Sequence, residues 1–265
     1  MPEPFLKWAG GKRWLIQRRR DLFPKGYRRY VEPFLGGGAV FFDLVPKRAL
    51  LADSNEELIN AYRCLQSQVE AVHDGLCALQ KRHSARTYYR MRAIRPANNV
   101  QRAIRFIYLN RTCFNGLYRV NREGTFNVPI GAKTQVEYPT SYLDEVSTAL
   151  RGVELRVADF ECILDRTGDG DFVFLDPPYT VMHNTNNFIK YNAALFSWRD
   201  QVRLAAAAQR AAARGAAVMV TNADHASIRS LFRELGAQHT VERSSVLASR
   251  AAHRRPTTEL IVTTY

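Results

Sequence analysis

Short apolar runs of strand length alternate with helical patterns along the chain. "YRRYVEPF" reads as a strand entering a loop, and "RALLAD" as a second short strand. "VELRVADF" and "DFVFLDPPY" are two more. "AAVMVTNAD" follows an alanine-rich helix running from about Trp198 to Arg214, and "ELIVTTY" closes the sequence. Strands that alternate with helices predict an α/β fold with a mostly parallel, doubly wound sheet. In such sheets ligands bind beyond the carboxyl ends of the strands. Those ends are where the chemistry-bearing residues are sought.

One stretch breaks the alternation. Residues 57–80 have a helical pattern, and two further helical stretches follow near Ala85–Arg92 and Val100–Asn110. "RTCFNGLYRVNREGTFNVPIGAK" then reads as a loop or hairpin rich in Asn, Gly and aromatics. This organisation predicts a catalytic, cofactor-binding domain from residues 1–56 and 143–265, with residues 57–142 inserted into it.

Charge gives the insertion a meaning. The 265 residues carry 38 Lys and Arg against 25 Asp and Glu, a net charge of +13. From Lys81 to Arg122 there are eleven Lys and Arg, Arg90 among them, and no acid at all. Tyr88, Tyr89, Phe106, Tyr108, Phe114 and Tyr118 are interleaved with them. Basic groups neutralise phosphates, and aromatic groups stack on bases or wedge between them. The alternative is a solvated helical face with some core aromatics, a description that suits Phe106 and Tyr108. The one-signed charge favours a nucleic-acid-binding subdomain. No basic amphipathic helix with a continuous apolar face points to a membrane surface. The N-terminus has no apolar signal core, and no run is long enough to span a bilayer. Cys64, Cys77, Cys113 and Cys162 form no CxxC pair, which fits reduced thiols in a cytoplasmic protein and no metal site.

"VEPFLGGGAVF" puts Gly36, Gly37 and Gly38 between a strand and a helix, where a ligand can approach the backbone closely. In "LLADSNEEL", Asp53 ends the next strand, where an acid accepts hydrogen bonds from ribose hydroxyls. Its alternative role is the N-cap of the helix that follows, which Ser54 or Asn55 could equally fill. Loop and acid together predict an adenosine-containing ligand. A dinucleotide fits poorly: counted from Gly36, the last glycine of G-x-G-x-x-G is Phe41. S-adenosylmethionine has ribose and adenine but no pyrophosphate, and suits the loop better.

"DPPY" follows the most apolar strand. To methylate an exocyclic amine, its nitrogen must become more tetrahedral, and acceptors on its two N–H groups stabilise the charge that develops. Asp176 supplies a carboxylate and Pro177 a carbonyl. Pro177 and Pro178 fix the backbone and remove competing donors. Tyr179 offers a face for the base to stack on. The alternative is a stiff strand-terminal turn with Asp176 in a salt bridge. Cytosine C5 methylation, which uses a cysteine typically after a proline, is excluded, because no proline here precedes a cysteine.

"FLKWAGGK", "VEPFLGGGAVFF", "LADSNEELINAY", "YLNRTCFNGLYRVNREGTFNVPIG" and "DPPY" together resemble, in the same order, the Dam family of DNA adenine-N6 methyltransferases. The resemblance covers nearly the whole chain. It implies a Rossmann-like S-adenosylmethionine-dependent methyltransferase sheet with an inserted, mostly helical DNA-recognition domain. It implies that Trp8, Lys12, Phe34, Asp53 and the loop from Gly36 to Gly38 line the cofactor pocket, with Asp176 touching both cofactor and amine. Asp159 and Phe160 resemble the segment that holds the cofactor adenine, against the alternative of an ordinary strand end. Lys7 and Arg119 resemble the family's base-reading contacts, and an arginine makes a bidentate pair to a guanine edge. Phe114, Asn115 and Leu117 resemble the segment that intrudes where the adenine leaves the helix, a flip required because the amine is otherwise inside the stack. Asn121, Pro129 and Lys133 complete the expected DNA side.

Two departures stand out. Ala132 and Lys133 follow "NVPIG" where the Escherichia-type members have Arg-Tyr, so a GATC target is implied less firmly. "SSVLASRAAHRRPTTEL" lacks the family's Asn-Gly segment, although Arg250, Arg254 and Arg255 could contact phosphates; the alternative is a solvated hairpin. The expectation is an enzyme acting on double-stranded DNA as a monomer or weak dimer. An N4-cytosine methyltransferase and an inactive DNA-binding protein are the rival readings.

Overall fold

A computed structural model describes residues 2–121, 124–132, 138–182, 196–244 and 256–265. The elements run α1 (Arg13–Arg18), β1 (Arg29–Glu32), α2 (Ala39–Leu44), β2 (Ala49–Asp53), α3 (Glu56–Ser67), α4 (Val69–Lys81), α5 (Ala85–Ala93) and α6 (Asn99–Thr112). Then come α7 (Thr140–Ala149), β3 (Glu154–Val157), α8 (Phe160–Leu164), β4 (Asp171–Leu175), α9 (Trp198–Ala213), β5 (Ala217–Ala223), α10 (Ala226–Leu231), β6 (Ala237–Ser244) and β7 (Pro256–Thr263). Short 3-10 turns occupy Arg20–Leu22 and Phe114–Gly116. No described helix is long and apolar enough to cross a membrane.

The chain divides into two compact units. Unit 1 comprises Met1–Ile16, Leu35–Pro46 and Asp53–Val157; unit 2 comprises Gln17–Phe34, Lys47–Ala52 and Ala158–Tyr265.

Unit 2 is the sheet unit, and its strands lie in the order β2-β1-β4-β5-β7-β6. β1 pairs in parallel with β2 and β4, and β4 with β5. Every residue of β4 is buried. A strand covered on both faces carries an unbroken apolar run rather than an alternating one, and "DFVFL" is such a run. Its neighbours Val31, Val218 and Val220 are fully buried with it. α9 supplies Leu204, Ala205, Ala207, Ala208 and Ala211 to the same core. Alanines on that face keep the helix close to the strands beneath. The helix starts at a capping box in which Ser197 and Asp200 satisfy each other's backbone N–H.

One strand was missed by the reading of the sequence. β6 pairs antiparallel with β7, which itself pairs antiparallel with β5. "AQHTVERS" lacks an apolar run, because an edge strand buries only part of its surface. The parallel expectation holds for β2-β1-β4-β5 and ends at β5.

Unit 1 is mostly helical. The stretch expected as one helix over residues 57–80 is two, α3 and α4, separated by Gln68 at φ −143° and ψ 41°. Asn55 caps α3 by accepting the Leu58 N–H at 3.2 Å, and so takes the alternative role considered for Asp53. Tyr62, Leu65, Val72, Leu76, Tyr88 and Tyr108 are fully buried in this unit. Gly75 of α4 lies so close to Ile104 of α6 that a Cβ there would collide with the isoleucine side chain.

Candidate functional site

In unit 2 the buried β4 delivers Asp176 and the two prolines to its carboxyl end. Thr221 of β5 donates its hydroxyl to Asp176 Oδ1 at 2.7 Å. Gln201 of α9, itself buried, donates to the Pro178 carbonyl at 3.3 Å, and Asn222 donates to Gln201 Oε1 at 3.0 Å. The Tyr179 hydroxyl donates to Glu259 Oε2 at 2.9 Å. Glu259 sits on β7 and is only 4% exposed. Burial first, and then the negative charges of Asp176 and Glu259, push the Tyr179 phenol well above its ordinary value. Tyr179 is therefore a neutral donor at physiological pH. The tetrapeptide is held by three elements through a polar network. Thr221, Gln201, Asn222 and Glu259 were not singled out from the sequence. Glu259, an acid inside an apolar terminal run, is the one that carried a signal.

Phe34 and Phe160 stack with ring centroids 5.4 Å apart, and Phe196 packs against both. Asp159 caps α8 by accepting the Glu161 N–H at 2.9 Å and pairs with Arg203 at 2.9 Å. Arg203 also lies over the Phe160 ring, 4.9 Å from its centroid. Asp159 thus has the helix-cap role of an ordinary strand end, while Phe34 and Phe160 form an aromatic pair at the same end of the sheet unit.

In unit 1 the Asp53 carboxylate accepts the Gly36 N–H at 3.1 Å and the Asn55 N–H at 2.9 Å. Burial raises its pKa, and the backbone donors of Asn55, Gly36 and Ser54 oppose that. A carboxylate offers about four lone-pair sites, so capacity for further donors remains. Gly36 and Gly38 have φ +48° and +66°, the left-handed region where a side chain is strained. A Cβ on Gly36 would lie 2.6 Å from the Trp8 indole, and one on Gly38 would lie 2.8 Å from the Tyr62 hydroxyl. The glycines thus make room for Trp8 and Tyr62 of the chain itself, and Tyr62 donates its hydroxyl to the Gly36 carbonyl at 3.2 Å. The Asp53 carboxylate beside them, with acceptor capacity to spare, fits the ribose hydroxyls of S-adenosylmethionine. Lys12 is buried, and its ammonium donates to the Gly10 carbonyl at 2.6 Å.

Trp8 also stacks on Tyr118, with centroids 5.4 Å apart and planes at 20°. Tyr118 leads into Arg119, which is exposed and donates Nε to Asn127 Oδ1 at 2.8 Å. Bridges Cys113↔Ile130 and Val120↔Phe126 close this segment into a hairpin. Asn121 takes the Thr125 N–H on its side chain at 2.9 Å near the hairpin tip. The Pro129 carbonyl accepts the Phe114 N–H at 2.9 Å. Phe114 is 51% exposed and Leu117 36%, with Asn115 between them at φ 54°. Lys7 is half-buried, and Arg90 is exposed on α5. Lys133, Arg250 and Arg254 lie outside the described residues, as does most of the loop "SSVLASRAAHRRPTTEL".

Comparison with known proteins agrees with these features. A family model described as D12 class N6 adenine-specific DNA methyltransferase matches residues 8–246. A type II methyltransferase, M1.LlaDCHI of Lactococcus lactis subsp. cremoris, is 36% identical over 99% of this chain and 95% of its own. A type II methyltransferase, M.MjaIII of Methanocaldococcus jannaschii, is 35% identical over 83% of this chain and 84% of its own. A DNA adenine methylase of Vibrio cholerae is 34% identical over 97% of this chain and 94% of its own.

Proposed function

The chain belongs to the D12 class of N6 adenine-specific DNA methyltransferases, and from that premise we propose that it methylates adenine within GATC in double-stranded DNA, on a base turned out of the helix. The class uses S-adenosylmethionine as methyl donor, which supplies an electrophilic methyl group. Asp53 accepts hydrogen bonds from the ribose hydroxyls, and Trp8 backs the glycine loop. Asp176 accepts one N–H of the target amine and the Pro177 carbonyl accepts the other. Both acceptors draw the nitrogen lone pair out of conjugation as the bond to carbon forms. Tyr179 stacks on the flipped base with its hydroxyl anchored on Glu259. Residues 57–142 serve target recognition together with Lys7: Lys7 and Arg119 read base edges, and Phe114 and Leu117 fill the space that the adenine leaves. The enzyme acts in the cytoplasm, where its DNA is.

The observation that carries this reading is the fixing of Asp176 by Thr221 at 2.7 Å at the end of a fully buried strand. Asp176→Ala is expected to abolish methyl transfer while DNA binding stays measurable; near-normal turnover would sink the mechanism. For the target, DNA incubated with protein and S-adenosylmethionine is challenged with endonucleases that differ in sensitivity to methylated GATC. Methyl incorporated with no change in cleavage would refute GATC and leave the enzyme intact. Two of the relatives described above are type II methyltransferases, so the recognition sequence is the part of the reading most exposed to this test.

A further inference from the structure

Asn110 lies in the last turn of α6, fully buried, and no role in recognition or catalysis attaches to it so far. Its side-chain amide grips a peptide 103 positions away. Oδ1 accepts the Lys7 N–H at 2.8 Å, and Nδ2 donates to the Lys7 carbonyl at 2.8 Å. Nδ2 also reaches the Gly116 carbonyl at 3.4 Å. Only a primary carboxamide of this length offers an acceptor and two donors in that arrangement. Aspartate would set an oxygen against two carbonyls, and glutamine would overreach by one methylene.

Gly116 supplies the second, independent observation. It sits at φ +66°, and a Cβ there would collide with the Lys7 side chain, lying only 2.5 Å from Lys7 Cβ. The Lys7 side chain therefore crosses a bare backbone at the turn Phe114–Gly116. On either side of that glycine the turn leaves Phe114 and Leu117 exposed. Cys113 Sγ donates to the Asn110 and Leu117 carbonyls at 3.4 and 3.2 Å, which ties the same turn to α6.

We propose that Asn110 is a positioning residue for sequence selectivity: its amide fixes Lys7 against the turn Phe114–Leu117, so that the base-reading lysine and the intruding apolar pair are set as one piece. The inference rests on the proposed reading of Lys7 as a base contact. Asn110 itself touches no substrate, and acts through Lys7 and Gly116.

The test compares kcat/KM on a duplex carrying the preferred site of the unmutated enzyme with duplexes changed at one base pair. Asn110→Ala is expected to lower that ratio about tenfold or more, since one good base contact carries discrimination of that order, with S-adenosylmethionine affinity unchanged. Combined with Lys7→Ala, it should lower the ratio no further than Lys7→Ala alone. Gly116→Ala keeps the Asn110 amide but displaces Lys7, and should lower the ratio likewise; it decides the matter if Asn110→Ala fails to fold. Loss of activity in equal proportion on every duplex, or additive effects of Asn110→Ala and Lys7→Ala, would overturn the proposal. An unchanged ratio in Lys7→Ala overturns the reading of Lys7 and the inference with it. A lowered ratio in Lys7→Ala beside an unchanged one in Asn110→Ala overturns the inference alone.

Discussion

Thr221 gives Asp176 a fixed donor at 2.7 Å, and its own side chain is fully buried. Replacing it with valine keeps the shape and removes the hydroxyl. The carboxylate then loses this donor while every larger packing contact stays. Thr221→Val is therefore expected to lower kcat by roughly tenfold or more, in line with about 1.5–3 kcal/mol for a hydrogen bond to a charged group. DNA and cofactor affinities should change little, and single-turnover methylation measures the effect. A kcat as high as that of the unmutated enzyme would mean that the Thr221 hydroxyl does not aim Asp176. The candidate tetrapeptide stood out in the sequence, because Asp176, Pro177 and Tyr179 fall together at the end of an apolar strand. The residues that hydrogen-bond to it did not. Thr221, Gln201 and Glu259 lie on other elements, 45, 23 and 80 positions from their partners. Each is a single polar residue in a strand or helix, and its role exists only once β5, α9 and β7 are packed. Asp53 shows the opposite case. Its loop and strand are adjacent in sequence, and the structure joins them by a bond from the Gly36 N–H to its carboxylate.

At the scale of elements, the hairpin after α6 is the part to which the proposal assigns selectivity. Its strands are hardly more than bridges at Cys113↔Ile130 and Val120↔Phe126, and side chains do much of the bracing. Arg95 donates to Thr125 at 2.5 Å, Arg92 to the Val128 carbonyl at 3.2 Å and Tyr88 to the same carbonyl at 2.9 Å. Several basic residues of the insertion thus hold its structure, which charge alone could not reveal. Arg119 differs: it is exposed, and its partner Asn127 is also exposed, so the pair opens to solvent. Arg119→Ala is expected to relax discrimination at one base pair by about 1–3 kcal/mol while cofactor affinity is kept. A loss shared equally by all sequences would make Arg119 a phosphate contact instead. The helices of this segment were legible from period, including the stretches near Ala85–Arg92 and Val100–Asn110, which the structure gives as α5 and α6. The break at Gln68 was not, since no proline or glycine marks it, and the apolar period passes through it. β6 was hidden for the same kind of reason, because an edge strand shows no run.

Over the whole molecule two opposing features act, a large positive charge outside and a set of acidic hydroxyls and thiols inside. With 38 Lys and Arg against 25 Asp and Glu, binding to DNA should fall steeply and log-linearly with salt. Arg90→Ala should reduce that slope by about 1 if this exposed arginine meets a phosphate; titrations at several salt concentrations measure it, and an unchanged slope would remove Arg90 from the interface. The buried groups govern behaviour at high pH. Burial pushes the Cys113 thiol up to about 11 and the Tyr108 phenol up to about 12, and lifts Tyr88 and Tyr138 further. In the unfolded chain these groups ionise near their ordinary values, about 8.5 for a thiol and about 10 for a phenol. Between the unfolded and folded values the native state therefore holds more protons than the unfolded state, and stability must fall as pH rises. The loss should begin above about pH 8.5 with the thiol and steepen above about pH 10 as the phenols follow. Urea midpoints measured from neutral to alkaline pH read it directly. Cys113→Ser removes its own contribution, leaving that of Cys64, which burial also raises, and should weaken the loss between about pH 8.5 and 10, whereas a midpoint independent of pH up to about 10 in the unmutated protein would mean that these groups are not held protonated by burial.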